Sequence, residues 1–145
     1  MDKRETDIRA GRVTAREFVV EDERGRTRAA VGLGADGEPA LALFDDRGRE
    51  AVRVGLSGGG ATIRLSGGGG RRMALAVKPS GEPGFVMLGP DGVPRLRLAI
   101  GEGDRPQVSL VDRKGATRAA LTLEGDGQAA LYLYGENGEV RSYLR

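Results

Sequence analysis

Three sets of residues in this sequence have types and spacings that could do chemistry. The first is Gly32-Leu-Gly34-Ala-Asp-Gly37, which carries the glycine spacing of a dinucleotide-binding turn. Such a turn seats a pyrophosphate on the N-terminus of the helix that directly follows it. Here an alternating strand pattern follows, Glu38-Pro-Ala-Leu-Ala-Leu43, so the phosphate would find no helix. The glycine runs after Ser57 and Ser66 lack the lysine and hydroxyl residue that complete a P-loop, and they read as permissive turns.

The second set is acidic. Asp22, Asp45 and Asp112 stand at equivalent places in similar loops, and stacked carboxylates of this kind can ladder around calcium. Gly67, Gly89 and Gly135 take the same place elsewhere, which breaks any continuous ladder. Each aspartate is therefore read as accepting a backbone N–H within its own turn. The third set is basic: Arg28, Arg95, Arg118 and Arg141 form a column, with Arg53 and Arg97 close to it. Such a column could hold an anionic glycan, a polymer or an acidic protein. Aromatic residues make up 4% of the chain, too few for base-stacking platforms, which argues against nucleic acid.

Catalysis has little to work with. The chain has no histidine and no cysteine, which removes the usual nucleophile and base pairs and the main zinc and copper ligands. No catalytic, cofactor-binding or metal residue is assigned, and the expectation is a protein that is not an enzyme and needs no cofactor.

The elements that must position these residues are repeats. Six glycines, Gly25, Gly48, Gly70, Gly92, Gly115 and Gly138, close similar loops at a spacing of 22 or 23 residues. Seven and five residues before each stand apolar side chains, for example Leu41 and Leu43 before Gly48. Four and six after it stand mostly apolar ones again, as with Val52 and Val54. Alternation at period two predicts strands. Asp-x-x-Gly is the signature of a type I turn, and a second loop, as in Asp36-Gly-Glu-Pro39 and Ser80-Gly-Glu-Pro83, bends at glycine and opens the next strand with proline. Two turns per repeat give eleven or twelve short strands. The fold class is thus all-β: six 22–23-residue two-strand units over residues 17–145, preceded by a charged arm or cap over 1–16.

Two architectures fit these units, a β-solenoid and a meander of stacked hairpins. If Asp-x-x-Gly made a three-residue loop, Val20 would face Arg28, and the two apolar stripes of a repeat would point to opposite sides. A solenoid avoids that conflict by placing the stripes on separate walls, and it is the preferred expectation.

In either architecture Val19, Phe44, Leu75, Val77, Val86, Leu88, Val111, Tyr132, Tyr134 and Tyr143 are expected to point to water, and the chain stops at Tyr143-Leu144-Arg145 inside its last strand. A surface this apolar, beside an open strand edge, predicts self-association. Phe44, Leu88, Val111, Tyr132, Tyr134, Tyr143 and Leu144 are the candidate interface. The expected function is a structural or assembly module, a homo-oligomer or part of a larger assembly. The alternative is a binding module that uses the arginine column and the tyrosines.

Lysine plus arginine and aspartate plus glutamate nearly cancel, for a formal charge of +2, so charge alone names no partner. No stretch has the apolar run of a secretory signal or membrane span, and a cytoplasmic location is the default expectation.

At Leu43-Phe-Asp-Asp-Arg-Gly-Arg49, and again at Val20-Glu-Asp-Glu-Arg-Gly-Arg26, the pattern resembles bacterial proteins built of Asp-x-x-Gly β-repeats. It is more distantly similar to the YD (RHS) repeats, whose turns build β-shells, and to the hairpins of MORN repeats. The resemblance spans residues 17–145 and implies an all-β repeat architecture; it implies no functional residues.

Overall fold

In the computed structural model, which describes residues 10–101 and 103–145, every repeat is a pair of short antiparallel strands. They are β1 (Glu17–Glu21), β2 (Thr27–Leu33), β3 (Pro39–Phe44), β4 (Glu50–Ser57), β5 (Gly60–Ser66), β6 (Arg72–Val77), β7 (Pro83–Leu88), β8 (Pro94–Gly101), β9 (Arg105–Val111), β10 (Thr117–Leu123), β11 (Ala129–Tyr134) and β12 (Val140–Leu144). The strands lie in chain order in one twelve-stranded sheet. The single helical turn among the described residues is the 3-10 turn Gly68–Gly70. Of the arm or cap expected over 1–16, residues 1–9 lie outside the described residues, and residues 10–16 form neither helix nor strand.

The architecture is a meander of hairpins in one open sheet and not a solenoid. The parity conflict that favoured a solenoid is resolved by one extra residue per hairpin. Asp22 and Arg26 close a three-residue loop through Asp22 N–H to Arg26 O at 2.9 Å, and Gly25 supplies a φ of 71°. Glu21 then pairs with Thr27, but Val20 pairs with Ala29, leaving Arg28 as the bulge. The same shift falls between Glu50 and Val52, Pro94 and Leu96, Thr117 and Ala119, and Val140 and Ser142. Each bulge re-phases the strand, so both apolar stripes of the hairpin share one face.

The β5–β6 hairpin lacks the bulge: Ser66 pairs with Arg72 and Leu65 with Met73. Its apolar residues stand one position earlier in compensation. Met73, Leu75 and Val77 take the apolar face, and Ala74 and Ala76, the stripe positions expected from the repeat, turn to the other one. Leu75 and Val77 therefore belong to the apolar face and not to the opposite side where the repeat had placed them.

The registers join into rows that cross the whole sheet. One runs Phe18, Val31, Leu41, Val54, Ile63, Leu75, Phe85, Leu98, Val108, Leu121, Leu131, Leu144, one residue from each strand. The row beside it, from Val20 to Leu133, is apolar as well until it ends at Ser142. Neither row contains a charge.

Among the described residues no second layer of strands or helices covers either face. No large side chain is fully buried among the described residues, and the buried apolar residues are Ala42, Val111, Ala120 and Ala130. All four lie on the face opposite the apolar rows, where long neighbours such as Arg53 beside Ala42 and Tyr132 beside Ala120 overlie them.

Candidate interaction face

The apolar rows form the most extensive candidate site. Nineteen of the twenty-three exposed large apolar residues among the described ones lie on this face, from Leu56 and Leu123 at 38% to Leu33 at 69%. Part of the face is concave, a trough of about 1280 Å³ lined by residues of β1 through β11, among them Phe18, Leu41, Ile63, Phe85 and Leu121. Its lining is mostly aliphatic and aromatic carbon, with Arg16, Thr62, Gln107 and Thr122 as its polar members and no carboxylate. Such a surface can exclude water against a matching apolar surface.

The interface residues expected from the sequence are divided by the sheet. Leu144 belongs to the apolar face. Phe44, Leu88, Val111, Tyr132, Tyr134 and Tyr143 lie on the opposite one, and Val111 is buried there at 6% exposure. The three tyrosines do come together. The rings of Tyr132 and Tyr143 are 5.0 Å apart, and those of Tyr132 and Tyr134 are 6.2 Å apart. The Tyr132 hydroxyl donates to the Glu124 carboxylate. Deprotonation would set two anions side by side, so that hydrogen bond pushes the phenol up to about 12.

Arg145 completes this cluster, contacting Glu124 at 2.8 Å and Asp126 at 2.5 Å. Arg145 and its two carboxylates escaped the sequence reading because Arg145, after β12, stands 19 and 21 residues from Asp126 and Glu124 in the loop between β10 and β11. Only the pairing of β11 with β12 brings them to one end of the sheet.

The arginine column is engaged within the chain. Arg28 lies 3.8 Å from Asp22, Arg53 3.1 Å from Glu50, Arg95 2.5 Å from Asp91, Arg118 2.6 Å from Asp112, and Arg141 3.8 Å from Glu139. Arg97 is exposed on β8 and forms no ion pair among the described residues. Several arginines reach onward to the next turn: Arg26 donates to the Asp46 carbonyl at 2.6 Å, Arg95 to the Asp112 carbonyl at 3.4 Å, and Arg118 to the Gly135 carbonyl.

The aspartates cap their own turns. Asp45 Oδ1 accepts the Arg47 and Arg49 N–H groups at 2.9 Å each. These bonds, with the Arg49 guanidinium, hold its carboxyl down at about 2. Asp22 is lowered chiefly by the Arg26 side chain, and Asp91 chiefly by the Val93 N–H. Where the leading aspartate is replaced by Gly89 or Gly135, a carboxylate from later in the loop fills its space, whereas the loop opened by Gly67 holds no carboxylate. A Cβ on Gly89 would lie 2.8 Å from Asp91 Oδ1, and one on Gly135 would collide with Glu139 Oε1. The carboxylate is moved in these turns, not lost.

Among the described residues no group of three or more carboxylates is placed to hold a metal ion. No helix there is long and apolar enough to cross a membrane. No protein-family model matches the chain, and no curated protein matches it.

Proposed function

We propose that this chain is a structural assembly module, without catalytic activity, whose apolar sheet face is an interface for protein. The observation that carries this reading is the missing second layer. Domains bury the hydrophobic side of a sheet against another element, and here nineteen large apolar side chains on one side are left 38–69% exposed, with no strand or helix among the described residues over them. The accessible surface of 10847 Å² is roughly half as large again as the about 7,100 Å² that a compact monomer of 15.3 kDa exposes. An apolar face of this extent in water is an association site.

Multi-angle light scattering of the purified chain at micromolar concentration tests the proposal. A mass at a multiple of 15.3 kDa, with little binding of a hydrophobic dye, is expected. A stable monomer across that range would sink it.

A further inference from the structure

We propose that the occupant of the apolar face is a second copy of this chain, packed face to face so that two sheets form a sandwich; this inference rests on the assembly reading above. Area is the first argument. Nineteen side chains left 38–69% exposed, at roughly 60–80 Å² apiece, amount to on the order of 1,200–1,500 Å² per copy, against the ~800 Å² per partner of a standard stable interface.

Shape is the second. Twelve strands at about 4.8 Å make the face roughly 53 Å wide. A helix, about 10–12 Å across with its side chains, would cover only part of the rows and would need some 35 residues to run the full width. A sheet of equal width and equal twist covers all of it, and aligned sheets of the same twist nest about 10 Å apart. Another copy supplies such a sheet with the same row spacing. The rows carry no charge that would select a differently charged partner.

Two other occupants fit less well. Pairing copies through the outer edges of β1 or β12 would satisfy backbone groups but leave the nineteen side chains in water. A lipid bilayer would need strands of about 9–11 residues, whereas these have 5 to 8.

The chain has no cysteine, so Arg97→Cys on the exposed opposite face gives a single site for a nitroxide label. Pulsed electron spin resonance on the labelled oligomer reads the distance between copies. Face-to-face packing predicts roughly 20–30 Å, two sheets and two label arms, whereas edge pairing predicts about 40 Å or more, nine or more strand spacings. The variant Ile63→Asp, at the middle of the apolar face, is expected to weaken association at least 100-fold, while Ala74→Asp on the opposite face leaves it unchanged. Circular dichroism checks that both keep their strand content; if Ile63→Asp does not fold, the spin-label distance still decides.

An oligomer with only long distances overturns the face-to-face arrangement and leaves the assembly reading intact. A monomer overturns both. So does a monomer that floats with neutral phosphatidylcholine vesicles, which would make lipid the occupant.

Discussion

Gly55 and Gly84 offer a matched test of the sheet, because they sit in one cross-strand row on the same face and differ in what surrounds them. A methyl added at Gly55 would collide with the Pro39 carbonyl oxygen and lie 2.8 Å from both Cα and Cβ of Ala40. Those are mostly backbone atoms of β3, so relief requires the strand itself to move. At Gly84 the nearest atom would be the Leu98 carbonyl oxygen at 3.5 Å, an ordinary contact.

Neither glycine has a positive φ, so alanine fits both backbones and, where space allows, stabilises by about 0.4–1 kcal/mol through the unfolded chain. Gly84→Ala should gain that amount. Gly55→Ala should lose it and more, a net destabilisation of about 1–3 kcal/mol, the usual cost of forcing atoms into a packed site. Guanidinium denaturation followed by circular dichroism measures both, at one fixed chain concentration, because association is linked to stability. Equal and favourable shifts for the two variants would refute the close approach of β3 and β4.

Two titrations follow from the same geometry. The carboxyls of Asp22, Asp45 and Asp91 are lowered in the folded chain, so the stability they contribute is complete above pH 4 and is lost as pH falls toward about 2, the value for Asp45. Denaturation midpoints measured from pH 5 to pH 2 should fall across that window, and Asp45→Asn should flatten part of the slope; a profile flat to pH 2 would contradict the capping. Tyr132 is raised to about 12, so its contribution holds below pH 10 and disappears as pH climbs through 12. With three tyrosines and no tryptophan, near-ultraviolet titration should show the Tyr132 phenolate forming late, with Tyr143 also raised, chiefly by burial, and Glu124→Gln should bring the Tyr132 phenolate down. A complete titration near 10 in the unaltered chain would remove the Tyr132 to Glu124 bond.

Strand positions were legible because alternation and turn glycines are local signals, and they located the twelve strands. The side to which each strand turns was not, since it depends on one bulged residue. Arg28, Ala51, Arg95, Arg118 and Arg141 look like ordinary strand residues, and counting from the glycine through them reverses the parity. A clue was present in the third repeat. There Met73 and Leu75 stand three and five after Gly70, while Val52 and Val54 stand four and six after Gly48. A shift of one in a single repeat makes sense only if the other repeats carry an extra residue. The extent of the apolar face was hidden for the same reason, since Leu75 and Val77 had been assigned to the opposite side.

The two faces differ in how they are satisfied, and that difference indicates which one is left for a partner. On the polar side the arginine column finds its carboxylates inside the chain, and Arg26, Arg95 and Arg118 go on to bond the carbonyls of the following turns. These bonds tie hairpin to hairpin along one end of the sheet. An anionic ligand would have to displace several of them at once, and surface ion pairs that already have partners gain little by exchanging them. The apolar rows have no such internal solution among the described residues, because the strands form a single layer with no second layer above it. Covering them requires a second surface, and the bulges that turn every stripe to one side are what concentrate that requirement on a single face.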